Sequence, residues 1–178
     1  MLFTRKGDDG TSRLFGRSGR IPKNSPLFEA LGTLDELNSL LGVCYAKARA
    51  VGEIGFSITS AIRGVQQDLF IVQAELAGAP KTLTQSHVDT LEHSIGEIET
   101  LIQNPHAFVI SGATELSALL DVARSVSRRT ERRVLMAQDI RKVSDGTRKY
   151  LNRLSSILYA LARLAAQQGS VEEENPSY

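Results

Sequence analysis

Eleven residues, Ala123 to Arg133, hold five arginines and one glutamate (ARSVSRRTERR) within a stretch that otherwise reads as helix. At about 100° per residue, Arg124, Arg128 and Glu131 fall in one narrow sector of that helix. Leu116, Leu119, Ala123, Val126, Thr130 and Val134 form a mostly apolar sector beside it. Guanidinium is the side-chain group best suited to gripping phosphate or carboxylate with two parallel bonds. On this stretch alone three readings stand: an anion site, a basic surface stripe, or a patch that meets nucleic acid.

Three further segments bear on the choice. Thr4-Arg5-Lys6-Gly7-Asp8-Asp9-Gly10-Thr11-Ser12, followed by Arg13, Arg17, Arg20 and Lys23, combines glycines with cations. Glycine lets backbone N–H groups approach a phosphate closely, and the cations supply charge. The Gly-Lys-Ser/Thr ending of a Walker loop is missing, and a flexible basic arm is the plain alternative. Asp8 and Asp9 suit a magnesium ion carried by a nucleotide, or the cap of a turn. On the first helical pattern Asp35, Asn38, Gly42 and Tyr45 share a face set off from the apolar stripe. On the last, Asn152, Ser155, Ser156, Tyr159 and Arg163 oppose Leu151, Leu154, Leu158 and Leu161. Polar stripes on bundle helices are usually solvent faces, yet asparagine is a poor mid-helix choice for one because its side chain competes with the backbone. His87, His93 and His106 show no metal-ligand spacing and read as surface residues. No nucleophile motif such as Gly-x-Ser-x-Gly occurs, so no covalent enzyme intermediate is suggested.

These side chains need elements to hold them. The chain has 178 residues, 42% of them hydrophobic, and a formal net charge of +1, which fits one globular domain and argues against a polyelectrolyte partner. Residues 1–25 show no sustained period. Helices are expected over Leu27–Arg49, Phe56–Leu76, a third with Ser86 as N-cap and an apolar face from Val88 to Ile102, Thr114–Gln138 and Arg148–Gln168. Asn104-Pro105-His106 is expected to end the third helix, residues 108–113 to form an extended loop, and Asp145-Gly146 to form a turn. No strand pair is visible. The expectation is an all-α, five-helix up-and-down bundle with a glycine-rich basic N-terminal segment. It is a single domain over 1–169, with 1–25 as nucleotide-binding segment, 26–169 as helical bundle, and 170–178 as a frayed polar tail. Interior Gly32, Gly42, Gly64 and Gly96 are expected in part to allow close helix contact or ligand approach. Cys44, the only cysteine, reads as an inert core thiol. No apolar run reaches the roughly 18 residues of a membrane span, and no secretory signal is visible, so a cytoplasmic address is expected.

Taken together, the ordered motifs resemble the PduO-type ATP:cob(I)alamin adenosyltransferases. They are Thr4 to Thr11, Lys23 before Pro26, Glu29 to Ser39, Gln66-Gln67-Asp68-Leu69-Phe70, the loop Phe108 to Thr114, Ala123-Arg124 with Ser127 to Arg132, and Leu151 to Ser155. The resemblance implies a homotrimer with active sites between subunits. It places Thr4, Gly7, Asp8, Gly10, Lys23, Arg124, Arg128, Glu131 and Asn152 around ATP and its magnesium, with no metal held by the protein directly. Asp35 and Phe108 fall on the corrinoid side, Phe108 matching the aromatic residue that displaces the lower axial ligand. Arg124, Arg128, Phe108 and Asp35 are the catalytic candidates. Glu75 lies where an acidic residue often pairs with the arginine matched by Arg124.

The implied reaction moves the 5′-deoxyadenosyl group of ATP onto the Co(I) of cobalamin and releases triphosphate. Electrons would come from a flavin-dependent reductase, and no nucleic acid or membrane partner is implied. The alternative is a non-catalytic ATP- and corrinoid-binding carrier or sensor. Four positions depart from the family pattern. Ser111 and Ala113 stand where proline and glycine are common, Asp121 where histidine is frequent, and Ser156 where aspartate is frequent. Asp121 and Arg124 are three apart on a helix, so the extra carboxylate can pair with that guanidinium and compete with nucleotide for it.

Overall fold

A computed structural model describes residues 3–16, 18–52, 55–103 and 108–177; Arg17 and the expected helix stop Asn104-Pro105-His106 lie outside them. Five helices dominate: α1 (Pro26–Ala48), α2 (Ile58–Ala77), α3 (Gln85–Leu101), α4 (Glu115–Met136) and α5 (Asp145–Gln168). Helix α4 packs between α1 and α5, α2 against α1, and α3 against α5. Among the described residues no helix is long and apolar enough to cross a membrane. The expected helical bundle is therefore the observed fold.

Each helix follows from its sequence. Ser25 caps α1, its Oγ accepting from the Phe28 amide at 3.4 Å, and Pro26 takes the first turn, where no N–H is needed. Leu27, Ala30, Leu34, Leu37, Leu41 and Cys44 then recur on one face, all fully buried. Burial pushes the Cys44 thiol up to about 11, in keeping with an inert core residue. Helix α5 is apolar on nearly every side from Ile157 to Ala166, as its central position requires. Each fully buried leucine or isoleucine contributes about 1.5–3 kcal/mol.

Four local expectations are corrected. Residues 1–25 do contain a strand pair: β1 (Thr11–Arg13) and β2 (Arg20–Pro22) are antiparallel, with Ser12 opposite Ile21. Three residues per strand are too few to show an alternating pattern. Helix α3 is capped by Thr84 rather than Ser86, because the Thr84 amide donates to His87 Nδ1 at 3.1 Å. His87 is half-buried, not a surface residue, whereas His93 is exposed and His106 lies outside the described residues. Asp145-Gly146 is the first turn of α5, since Ser144 Oγ accepts from the Thr147 amide at 3.2 Å.

A Cβ at Gly42 would lie 3.7 Å from Gln66 Nε2, in ordinary contact. A Cβ at Gly32, Gly64 or Gly96 would meet nothing within 4 Å. The close approach is at Gly146, where a Cβ would collide with the Leu83 carbonyl.

Candidate active site

The N-terminal segment is tied together by its own cations. Lys23 Nζ donates to the Gly7 carbonyl at 2.8 Å, and the Lys23 amide donates to the Gly10 carbonyl at 2.9 Å. A Cβ at Gly7 would sit 2.9 Å from Lys23 Nζ and 3.2 Å from the Thr11 carbonyl oxygen. Asp9 accepts from the Thr11 amide at 3.0 Å and from Thr11 Oγ1 at 2.7 Å, and these bonds hold its carboxyl below the usual value. Asp9 is thus the turn-capping member of the pair. Asp8 and Thr4 are exposed and have no side-chain partner among the described residues.

Helix α4 divides its five arginines by partner. Arg129 pairs with Glu36 of α1 at 2.5 Å, and Arg133 with Glu29 at 3.3 Å. Arg124 donates through Nε to Asp121 at 3.4 Å. Arg128 and Arg132 have no ion pair or hydrogen bond among the described residues. Arg124 and Arg128 line a groove of about 330 Å³ together with Glu99 of α3 and Ser155, Ser156 and Tyr159 of α5. Glu131 accepts from Asn152 Nδ2 at 3.2 Å, which links α4 to α5 beside that groove. An unpaired guanidinium in a groove with hydroxyls and a second guanidinium suits an oligophosphate. Glu99 was not visible as a site residue in the sequence, since its place in the groove depends on how α3 packs.

Asp35 lies elsewhere. With Asn38, Gly42, Arg63, Gln66 and Phe70 it lines a depression of about 310 Å³ between α1 and α2. This depression and the arginine groove share no residue. Gln66 Nε2 donates to the Asn38 carbonyl at 3.0 Å, and Arg63 stacks on Tyr45 at 4.0 Å. Phe108 stands 76% exposed on the loop before α4. None of Thr4, Gly7, Asp8, Gly10 or Lys23 bonds to Arg124, Arg128, Glu131 or Asn152. One chain therefore holds the expected residues as separate groups.

Two expected roles are corrected. Glu75 does not pair with Arg124: it accepts from the Ser144 amide at 2.6 Å and from Thr147 Oγ1 at 2.5 Å, anchoring the start of α5. Arg163 is not part of a solvent stripe but is 3% exposed and bonds Asp121 Oδ2 at 2.5 Å. Asp121 does pair with Arg124 as its spacing suggests, yet its shorter bond goes to Arg163.

A second cleft, about 300 Å³, opens between α2, α3 and α5 and contains none of the expected site residues. Its titratable members are Asp68, His87 and the buried Tyr150. Burial holds the Asp68 carboxyl above its ordinary value, against the opposing pull of Tyr150 and His87.

Residues 2–165 match the cobalamin adenosyltransferase family. A corrinoid adenosyltransferase of Citrobacter freundii is 40% identical over 170 residues, covering 92% of this chain and 93% of that protein. One from Mycobacterium bovis is 37% identical over 180 residues, covering 96% and 91%. Among solved structures, a variant PduO-type ATP:corrinoid adenosyltransferase of Lactobacillus reuteri, complexed with cobalamin and ATP, superposes with a TM-score of 0.89 at 25% identity. That match covers 100% of both chains.

Proposed function

The chain belongs to the cobalamin adenosyltransferase family, and from that premise we propose how its residues perform the transfer. The protein is an ATP:corrinoid adenosyltransferase: the 5′-deoxyadenosyl group of ATP passes to the cobalt of a corrinoid. Co(I), a strong nucleophile, attacks the 5′ carbon of ATP; the Co–C bond forms as the C5′–O bond breaks, and triphosphate leaves with the bonding pair. The observation that carries the residue assignment is the groove in which Arg124 and the unpaired Arg128 face Ser155 and Ser156.

Charge builds on the triphosphate as the bond breaks, so fixed donors there act most strongly in the transition state. Arg128 is the free fork for that charge, and Arg124 is the second. Glu131 and Asn152, bonded to each other, orient the nucleotide beside them. Lys23, Gly7 and Gly10 shape the N-terminal phosphate-binding turn. Asp8, without a side-chain partner, is the carboxylate that meets the magnesium travelling with ATP. The cobalt supplies the nucleophile; the protein supplies position and field. Phe108, exposed on its loop, covers the lower face of the corrin, and Asp35 orients the corrinoid.

Asp35 and the arginine groove are lined by separate sets of residues, which supports a site completed by a second copy of the chain in a homotrimer. A flavin-dependent reductase as electron source and a cytoplasmic location complete this reading.

The test is anaerobic incubation of the purified protein with chemically reduced cobalamin and Mg-ATP, read as light-sensitive adenosylcobalamin. Turnover is expected in the wild-type chain. Arg128→Ala should lose about 3–4 kcal/mol of transition-state stabilisation, roughly two to three decades in rate. An unchanged rate would remove Arg128 from this role.

A further inference from the structure

The C-terminal segment was expected to fray, but it returns to the bundle at the loop that carries Phe108. The Ile110 amide donates to the Glu174 carbonyl at 2.8 Å. One residue earlier in the tail, Glu173 Oε1 lies 3.1 Å from Arg163 Nε. Arg163 in turn donates to Asp121 Oδ2 at 2.5 Å, and the other oxygen of Asp121 accepts from Arg124 Nε at 3.4 Å. Arg163 also stacks on Tyr159 at 4.9 Å, and Tyr159 lines the arginine groove. A continuous series of contacts thus runs from the Phe108 loop through the tail to Arg124.

Buried ion pairs are poor stabilisers, because desolvation offsets most of the Coulomb gain. Arg163 and Asp121 are 3% and 5% exposed, so another role is to be sought for them. The geometry at Arg124 supplies it. Asp121 is bonded by Nε, the side of the guanidinium, so the two terminal nitrogens that form the phosphate-gripping fork are left free. Asp121 cannot swing toward the groove to compete with an anion, because its second oxygen is committed to Arg163. The two carboxylates, Asp121 and Glu173, balance the two guanidiniums, Arg124 and Arg163.

We propose that Asp121, held by Arg163, whose Nε faces Glu173, is a positioning residue that aims Arg124 at the triphosphate. The tail segment 171–177 thereby belongs to the nucleotide site. This rests on the nucleotide reading of the groove given above. The carboxylate that departs from the family pattern thus serves as an anchor for Arg124 and not as its competitor.

The test compares wild type, Asp121→Asn and Glu173→Gln. Asp121→Asn keeps the shape while removing the charge, and should raise KM for ATP about tenfold with a smaller change in kcat and an unchanged KM for the corrinoid. Glu173→Gln, less buried and safer for folding, should raise KM for ATP about threefold. Coupling between two sites is reciprocal. Saturating Mg-ATP should therefore slow hydrogen exchange of the Ile110 amide severalfold in the wild type, and should lose that effect in both variants. A purely structural role would lower melting temperatures without moving either readout, and that result would overturn the proposal. Calorimetric titration with Mg-ATP separates the two readings. A wild-type chain that does not bind Mg-ATP overturns the nucleotide reading and this one with it. Binding with Ile110 exchange indifferent to ATP overturns the positioning role alone.

Discussion

Arg128 and Arg132 are the two guanidiniums of α4 with no partner among the described residues, and only Arg128 lines the groove. The number of arginines in this helix is therefore a poor guide to its chemistry; which of them are already neutralised is what matters. The sequence showed the sector shared by Arg124, Arg128 and Glu131. It did not show that Glu29 and Glu36 of α1 occupy Arg133 and Arg129, since those pairs join residues about a hundred positions apart. Arg163 reads as exposed in the sequence because a charged residue on a polar stripe shows its buried partner, Asp121, only in the fold. Asp68 offers a test at this scale. Its carboxyl is raised above its ordinary value of 3.8, chiefly by burial. The folded chain then holds that proton to higher pH than the unfolded chain does. The stability this proton contributes is full below about pH 3.8 and is lost as pH climbs through the raised value. Asp68→Asn stays neutral throughout. Its stability relative to the wild type should rise with pH across that window, as read by urea denaturation at several pH values. A constant or falling difference would contradict this assignment.

Helix α5 shows how an element is placed by a residue from another. Its first turn holds an Asp-Gly pair that reads as a turn, and Ser144 would be an ordinary cap. Glu75, at the end of α2 and 8% exposed, takes both the Ser144 amide and the Thr147 hydroxyl. A carboxylate at a helix N-terminus also complements its dipole. Glu75→Ala leaves the buried Thr147 hydroxyl and the Ser144 amide without this acceptor and should cost about 3 kcal/mol in urea denaturation. A cost near zero would show that the donors find another partner. The helices themselves were legible within two or three residues, because three-four apolar spacing and the breaks at Gly78 and Pro80 are local signals. The β1–β2 hairpin was not. Its register depends on Lys23 reaching Gly7 and on Asp9 closing the Thr11 turn, contacts that leave no periodic trace.

At the scale of the whole molecule, one chain presents its candidate site residues on two separate surfaces. The α1–α2 face carries Asp35 beside Phe70, which is 58% exposed. The α3–α4–α5 face carries Arg124 and Arg128. The family resemblance in the sequence implied that these residues act together; the fold adds that they line separate depressions. If neighbouring copies complete each other, as the proposed trimer requires, a site takes its Asp35 from one copy and its Arg128 from the next. Light scattering should give a mass of three chains, each 19.4 kDa.

The most direct measurement is subunit complementation in the adenosylcobalamin assay. Asp35→Ala and Arg128→Ala are purified separately and then mixed as equal amounts under conditions that let subunits exchange. Each variant alone should be nearly inactive. In random mixed trimers one copy in two brings an intact Arg128 and one in two an intact Asp35, so about a quarter of the sites are wild type and about a quarter of the activity should return. A wild-type control without turnover, or an exchanged mixture no more active than its components, would contradict the account.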